Sequence, residues 1–315
     1  MILLPFFCLG VGILLGIYIK NKKLKIYSER ISTVALALLI FIIGVGIGIE
    51  SSILENFLKI GFNCMVISIL AIGFSIVFTV ICEKTILPLE KIDRDLMGKN
   101  IDILSKKNSD FQDKENGLVW IMPLSIAIGL LIGIVFQNYI NPLVVEKMFT
   151  SFLIILYVCV GISQGVEKEV FIFIKILGLR IIWLSIAIIV GSIIGGILAG
   201  KILNLPLYIS VISAGGMSYY SLTGAFMVEM YGLEVGTYGF VVNIMRELFT
   251  IILMPVLIKI SIGSPIAGGA AGNMDAMLIP ITKFVGVRLG LVTLITGTIL
   301  TFIIPFLLPL LSSIL

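Results

Sequence analysis

Histidine is absent from this chain and charge is scarce, with Asp, Glu, Lys and Arg making up 13% of 315 residues against 59% apolar residues. A water-soluble domain could not cover its surface from so small a polar supply. Without imidazole the chain lacks the commonest metal ligand and general base. Cys8, Cys64, Cys82 and Cys159 are scattered without paired spacing, which argues against a disulfide framework or a thiolate metal site. The formal charge of +4 is not gathered into a basic face, so nucleic-acid binding is not expected. No Gly-rich loop ends in Gly-Lys-Ser/Thr, so direct use of ATP is not expected either. Ser218 and Ser221 have no histidine to activate them, and neither an enzymatic role nor a cofactor is anticipated.

What is present is hydrocarbon-compatible sequence from end to end. Apolar stretches long enough to cross a bilayer are read near residues 2–19, 32–49, 57–82, 118–136, 149–166, 173–200, 237–258 and 287–312, eight in all. The first lacks a basic leader and a small-residue cleavage site, so it reads as a retained span. Lys20, Lys22, Lys23, Lys25 and Arg30 follow the first span, and further basic residues from Lys84 to Lys114 follow the third. Connections on the opposite side carry mostly single cations such as Lys59, Lys147 and Lys201. The positive-inside rule therefore places both termini outside. The mixed-charge stretch 83–117 reads as a solvated cytoplasmic linker.

The chain resembles itself. Val11-Gly-Ile-Leu-Leu-Gly-Ile17 matches Ile128-Gly-Leu-Leu-Ile-Gly-Ile134, and Phe41-Ile-Ile-Gly-Val-Gly-Ile47 matches Leu156-Tyr-Val-Cys-Val-Gly-Ile162. Leu58-Lys-Ile60 and Ile174-Lys-Ile176 then open the third span of each set. Sets of three spans must be inverted relative to one another. A second match pairs Ala214-Gly-Gly216 with Ala267-Gly-Gly269, followed by Gly236 and Pro255 in one copy and Gly290 and Pro309 in the other at equal separation. The fold expected is an all-α polytopic membrane protein with an inverted repeat. One repeat begins in 1–82 and is completed by 261–315, where 262–284 is a re-entrant hairpin before the last span. The other occupies 118–260, with a re-entrant hairpin over 207–231. Opened backbone at membrane depth is tolerable only where protein or a watery cavity surrounds it.

Arg246 and Glu247 lie near the centre of the seventh span, where each charge costs about 2.5–3.5 kcal/mol to insert. Neighbours on a helix point about 100° apart, so the two do not simply pair face to face. Asn243 shares a helical face with Glu247, and an amide beside a carboxylate suits an ammonium group. The Gly-rich segments add Gly215, Gly216, Ser218, Tyr219, Tyr220, Ser221 and Thr223 on one side, and Gly268, Gly269, Asn273 and Asp275 on the other. Helix termini opened in this way bind charged groups through their backbone. A solute with one carboxylate and two ammonium groups is complementary, with backbone amides and Arg246 for the carboxylate and Glu247 and Asp275 for the amines. Glu50 and Glu229, at the ends of their segments, are further candidates for contact with substrate or a coupling proton.

The runs Ser213-Ala-Gly-Gly-Met-Ser-Tyr-Tyr-Ser-Leu-Thr-Gly224, Asn243-Ile-Met-Arg-Glu-Leu-Phe-Thr-Ile-Ile-Leu-Met-Pro255 and Gly268-Gly-Ala-Ala-Gly-Asn-Met-Asp275 resemble the LysO lysine exporter family of bacteria. The likeness is most specific between Ser210 and Pro280. More distantly, the Gly-Gly segment with its Arg-and-Pro span is similar to cation:proton antiporters and anion transporters. The resemblance implies export of L-lysine and the analogue thialysine across the inner membrane, with intramembrane acidic residues involved, and Glu247 fits that role through Arg-Glu-Leu. It leaves open H+ coupling, homo-oligomer formation, and a rival in which an organic anion or sodium is moved in exchange for protons.

Overall fold

The computed structural model describes residues 3–19, 22–49, 57–89, 92, 124–125, 127–137, 139–166, 179–274 and 276–315. Every regular element among them is helical. Five helical stretches are long and apolar enough to cross a membrane, namely Leu58–Thr85, Leu143–Ser163, Ile182–Leu203, Leu233–Ile260 and Leu289–Ile314. They make the chain a multi-pass membrane protein. Helix α1 (Leu3–Ile19) is shorter, at 17 residues. So is the apolar run Arg30–Gly46 within α2 (Lys22–Ile49). Of the expected span 118–136, residues 118–123 and 126 lie outside the described residues, and 127–135 is helical.

Several helix boundaries lie beyond those expected, and two show why. Helix α2 starts inside the basic run, so Lys22, Lys23, Lys25 and Arg30 stand on a helix and not in a loop. Helix α3 (Phe57–Thr85) continues past the expected start of the linker and carries Glu83 and Lys84 on its last turn. The reason is the same in both cases: hydropathy marks where hydrocarbon ends, while backbone hydrogen bonding continues beyond it.

Elsewhere helix ends follow local chemistry. Asn141 Oδ1 accepts the N–H of Leu143 at 3.0 Å and caps α4 (Pro142–Val166), which has proline at its first position. Helix α5 (Ile182–Leu203) ends on Asn204 in the left-handed conformation, φ 50°, just before Pro206. The remaining elements are α6 (Leu207–Gly215), α7 (Tyr220–Tyr231), α8 (Leu233–Ile260), α9 (Ser264–Gly269), a 3-10 turn (Ala270–Met274), α10 (Leu278–Val285) and α11 (Val287–Ile314).

The chain packs as two compact units, each drawing on both of the matched halves. The first contains α1, α2, the 127–135 run, α4 and the segment Gly224–Thr237. Its helices meet through glycine. A β-carbon on Gly16 of α1 would lie 3.0 Å from the Cα of Gly165 on α4, and one on Gly48 of α2 would lie 2.8 Å from the Cα of Gly133. Backbones this close exclude any larger residue, which is how membrane helices gain van der Waals contact where lipid offers no hydrophobic drive. The Ser28 hydroxyl donates to Cys159 O at 2.7 Å and ties α2 to α4.

The second unit contains α3 from Gly61, α5, α6, the start of α7, α8 from Tyr238, and everything after it. Gly191 and Gly195 of α5 press on the α3 backbone at Ser75 and Ala71, and Gly196 presses on α6 at Val211 and Ala214. The Ala-Gly-Gly segments at 214–216 and 267–269 both belong to this unit.

Candidate functional site

Both Gly-rich segments are interrupted helices. Helix α6 ends at Gly215, and Met217 and Ser218 then take positive φ, 47° and 71°, before α7 begins. Helix α9 ends at Gly269 and Ala270 takes φ 48°. Met217 and Ala270 occupy the same place after Ala-Gly-Gly, so the internal match extends to the backbone turn. The two breaks touch, for the N–H of Ala271 donates to Met217 O at 2.9 Å.

Helix α8 serves both breaks from residues one turn apart. Fully buried Asn243 donates through Nδ2 to Ser213 O at 2.9 Å and Gly239 O at 2.7 Å, and accepts the Ser218 N–H at 2.7 Å through Oδ1. It thus holds the end of α6 and the turn that follows. Gly216 sits against the Thr223 hydroxyl and lies so close that its β-carbon would be 2.6 Å from Asn243 Nδ2. Ile266 O is the equivalent of Ser213 O in the other break, and it too receives an asparagine amide, from Asn273 Nδ2 at 2.7 Å.

Arg246 is 1% exposed. Its Nε donates to Gly268 O at 3.0 Å and its Nη2 to Ala267 O at 2.9 Å, both carbonyls at the C-terminal end of α9. Its Nη1 donates to Ser192 Oγ at 2.8 Å and its Nη2 also to Ser75 Oγ at 3.1 Å. Glu247 is half-buried, and its Oε1 lies 2.7 Å from the place a β-carbon on Gly272 would occupy. The carboxylate therefore rests on the backbone of the second break.

Among the described residues, no group of three or more His, Cys, Asp or Glu is arranged to hold a metal. A carboxylate beside opened backbone, with two asparagine amides on the neighbouring carbonyls, is chemistry suited to a polar or cationic solute.

The family model described as Lysine exporter LysO matches residues 6–92 and 124–312. The chain belongs to the LysO lysine exporter family.

This LysO-family chain is 28% identical over 192 residues to the lysine exporter LysO of Escherichia coli (strain K12), a stretch covering 60% of the chain and 62% of that protein. It therefore spans about three fifths of the length of that relative. A candidate lysine exporter of Haemophilus influenzae is 21% identical over 191 residues, 60% of the chain and 95% of that protein. No solved structure matches the chain.

Of the residues singled out in the LysO-family sequence, the second unit brings together Asn243, Arg246, Glu247, Gly215, Gly216, Ser218, Thr223, Gly268, Gly269 and Asn273. Tyr219 and Tyr220 are half-buried, with Tyr220 edge-on to Phe240 at 5.7 Å between centroids, and Ser221 is buried. Glu229 belongs to the first unit, half-buried on α7, and its Oε2 has no hydrogen-bond partner among the described residues. Asp275 and Glu50 lie outside the described residues.

Ser75, Ser192 and Gly272 escaped sequence reading. Nothing in the spacing of the sequence marks them, because isolated serines and glycines are common in apolar spans and the third-span match sets Ser75 against Gly191.

Proposed function

We propose that this chain exports L-lysine, and close analogues such as thialysine, across the inner membrane of a bacterium by proton-coupled alternating access. Eight spans and two re-entrant segments, in two inverted repeats with both termini outside, form the framework of this reading. The observation that carries it is Glu247, a carboxylate inside a membrane-crossing helix that rests on Gly272 where the two broken helices touch. A carboxylate at that depth is expensive and is kept there for what it binds, a cation or a proton being its natural counterparts. Arg246, Glu247 and Asp275 sum to one negative charge, which the single net positive charge of lysine neutralises. Names of the relatives supply the substrate, and the charge balance agrees with it.

In alternating access the carboxylates take the ammonium groups from the cytoplasmic side and release them outside as protons arrive. Proton and substrate competing for one carboxylate is the simplest coupling, because neither binds well while the other is present. Everted membrane vesicles test the reading directly. They should accumulate labelled lysine when an inward-acidic gradient is imposed, and Glu247→Gln should abolish accumulation at unchanged protein level. Uptake of an organic anion or of sodium in place of lysine would assign the chain to the rival solute class.

A further inference from the structure

We infer that Arg246 is a positioning residue for the second broken helix and does not bind the substrate carboxylate. The inference rests on the reading of Glu247 as the residue that binds substrate or proton. Four of the five N–H groups of the guanidinium are engaged by protein, two by carbonyls and two by hydroxyls. The carbonyls of Ala267 and Gly268 are the unsatisfied acceptors at the end of α9 and carry the negative end of its dipole. A planar guanidinium reaches both at once, which an ammonium point charge does not.

The hydroxyls that hold the other side of the guanidinium are equally built. Ser75 and Ser192 are fully buried and lie 3.0 Å apart. Ser75 also reaches Ile188 O at 3.3 Å. A chain in which Ser192 donates to Ser75 and Ser75 donates to Ile188 leaves both hydroxyl oxygens free to accept from Arg246. Two spans thus present a fixed platform, and Arg246 transmits their position to the end of α9. Gly272 follows that end by three residues and meets Glu247, the neighbour of Arg246 on α8. Moving the end of α9 therefore moves Gly272 against the carboxylate. The matched last span carries no counterpart of it. The offset from Gly236 to Gly290 sets Leu300 opposite Arg246, Thr301 opposite Glu247, and Gly297 opposite Asn243.

The two roles for Arg246 separate in vesicle kinetics with lysine and its decarboxylated form, cadaverine, as competitors. If Arg246 positions α9, Arg246→Gln lowers kcat at least about tenfold, leaves KM within about twofold, and keeps the wild-type preference for lysine over cadaverine. The double variant Ser75→Ala with Ser192→Ala removes no charge and no candidate ligand, and it should lower kcat about three- to tenfold at unchanged KM and unchanged protein level. Arg246→Lys should fall between wild type and Arg246→Gln. A raised KM with the lysine preference lost in Arg246→Gln overturns the inference, and so does wild-type kcat in the double serine variant, which also serves if Arg246→Gln does not accumulate in the membrane. Normal export by Glu247→Gln would instead sink the reading of Glu247, whatever the Arg246 variants do.

Discussion

Asn243 and Arg246 are the two residues through which α8 grips the broken helices, and both act on backbone carbonyls. Burying a polar group without a partner costs about 1–3 kcal/mol, more for a charged one, so each side chain is tied to its present position by the groups it satisfies. Glu247 differs from them in resting on a glycine, where nothing but hydrogen separates the carboxylate from the chain. Gly272→Ala would place a methyl group 2.7 Å from Oε1. Overpacking of that kind costs about 1–3 kcal/mol. We expect Gly272→Ala to reduce the initial rate of lysine export about tenfold while the protein still reaches the membrane at normal abundance. The expense of intramembrane charge made Glu247 and Arg246 legible in the sequence, since few other residues could account for a charge at mid-span. The partners of Arg246 were not legible, because a carbonyl belongs to every residue and leaves no mark in the side-chain pattern.

At the scale of elements, the Ala-Gly-Gly repeats mark the helix breaks, and the turn that follows each adopts positive φ at a non-glycine residue, Met217 and Ala270. Strain of that sort costs about 1–3 kcal/mol per residue and is held by surrounding contacts, here the Ala271–Met217 hydrogen bond and the two asparagine amides. Glycine has a different use in the first unit, where it permits backbone contact. Two variants separate packing glycines from idle ones. Gly16→Val drives a side chain into Ile162 O and Gly165, and should lower the thermal midpoint in detergent by the equivalent of about 1–3 kcal/mol. Gly73→Ala meets nothing within 4 Å and should raise stability by about 0.5–1 kcal/mol through helix propensity. A stabilised Gly16→Val protein would show that the α1–α4 contact is not the close crossing described.

At the scale of the whole molecule, each compact unit takes helices from both sides of the internal sequence match. The proposed topology makes a direct prediction for the segment between α5 and α8. If α6 and α7 form a re-entrant hairpin, single cysteines at Asn204 and Glu234, both exposed, should react with an impermeant maleimide added from outside. The background should have Cys8, Cys64, Cys82 and Cys159 replaced. Labelling of Asn204 from outside but Glu234 only from the cytoplasm would mean that the segment crosses, and the span count would rise.

Residence in a membrane, the places where backbone is broken and the identity of the charges within the apolar helices follow from the sequence alone, because hydropathy, glycine pattern and formal charge are local properties. The tertiary structure decided what those groups touch. Arg246 finds Ser75 across 171 residues of chain and takes two carbonyls from a helix only six residues long, while Glu247 settles on a glycine. Such contacts arise from packing geometry between distant segments, and no spacing rule along a single chain encodes them.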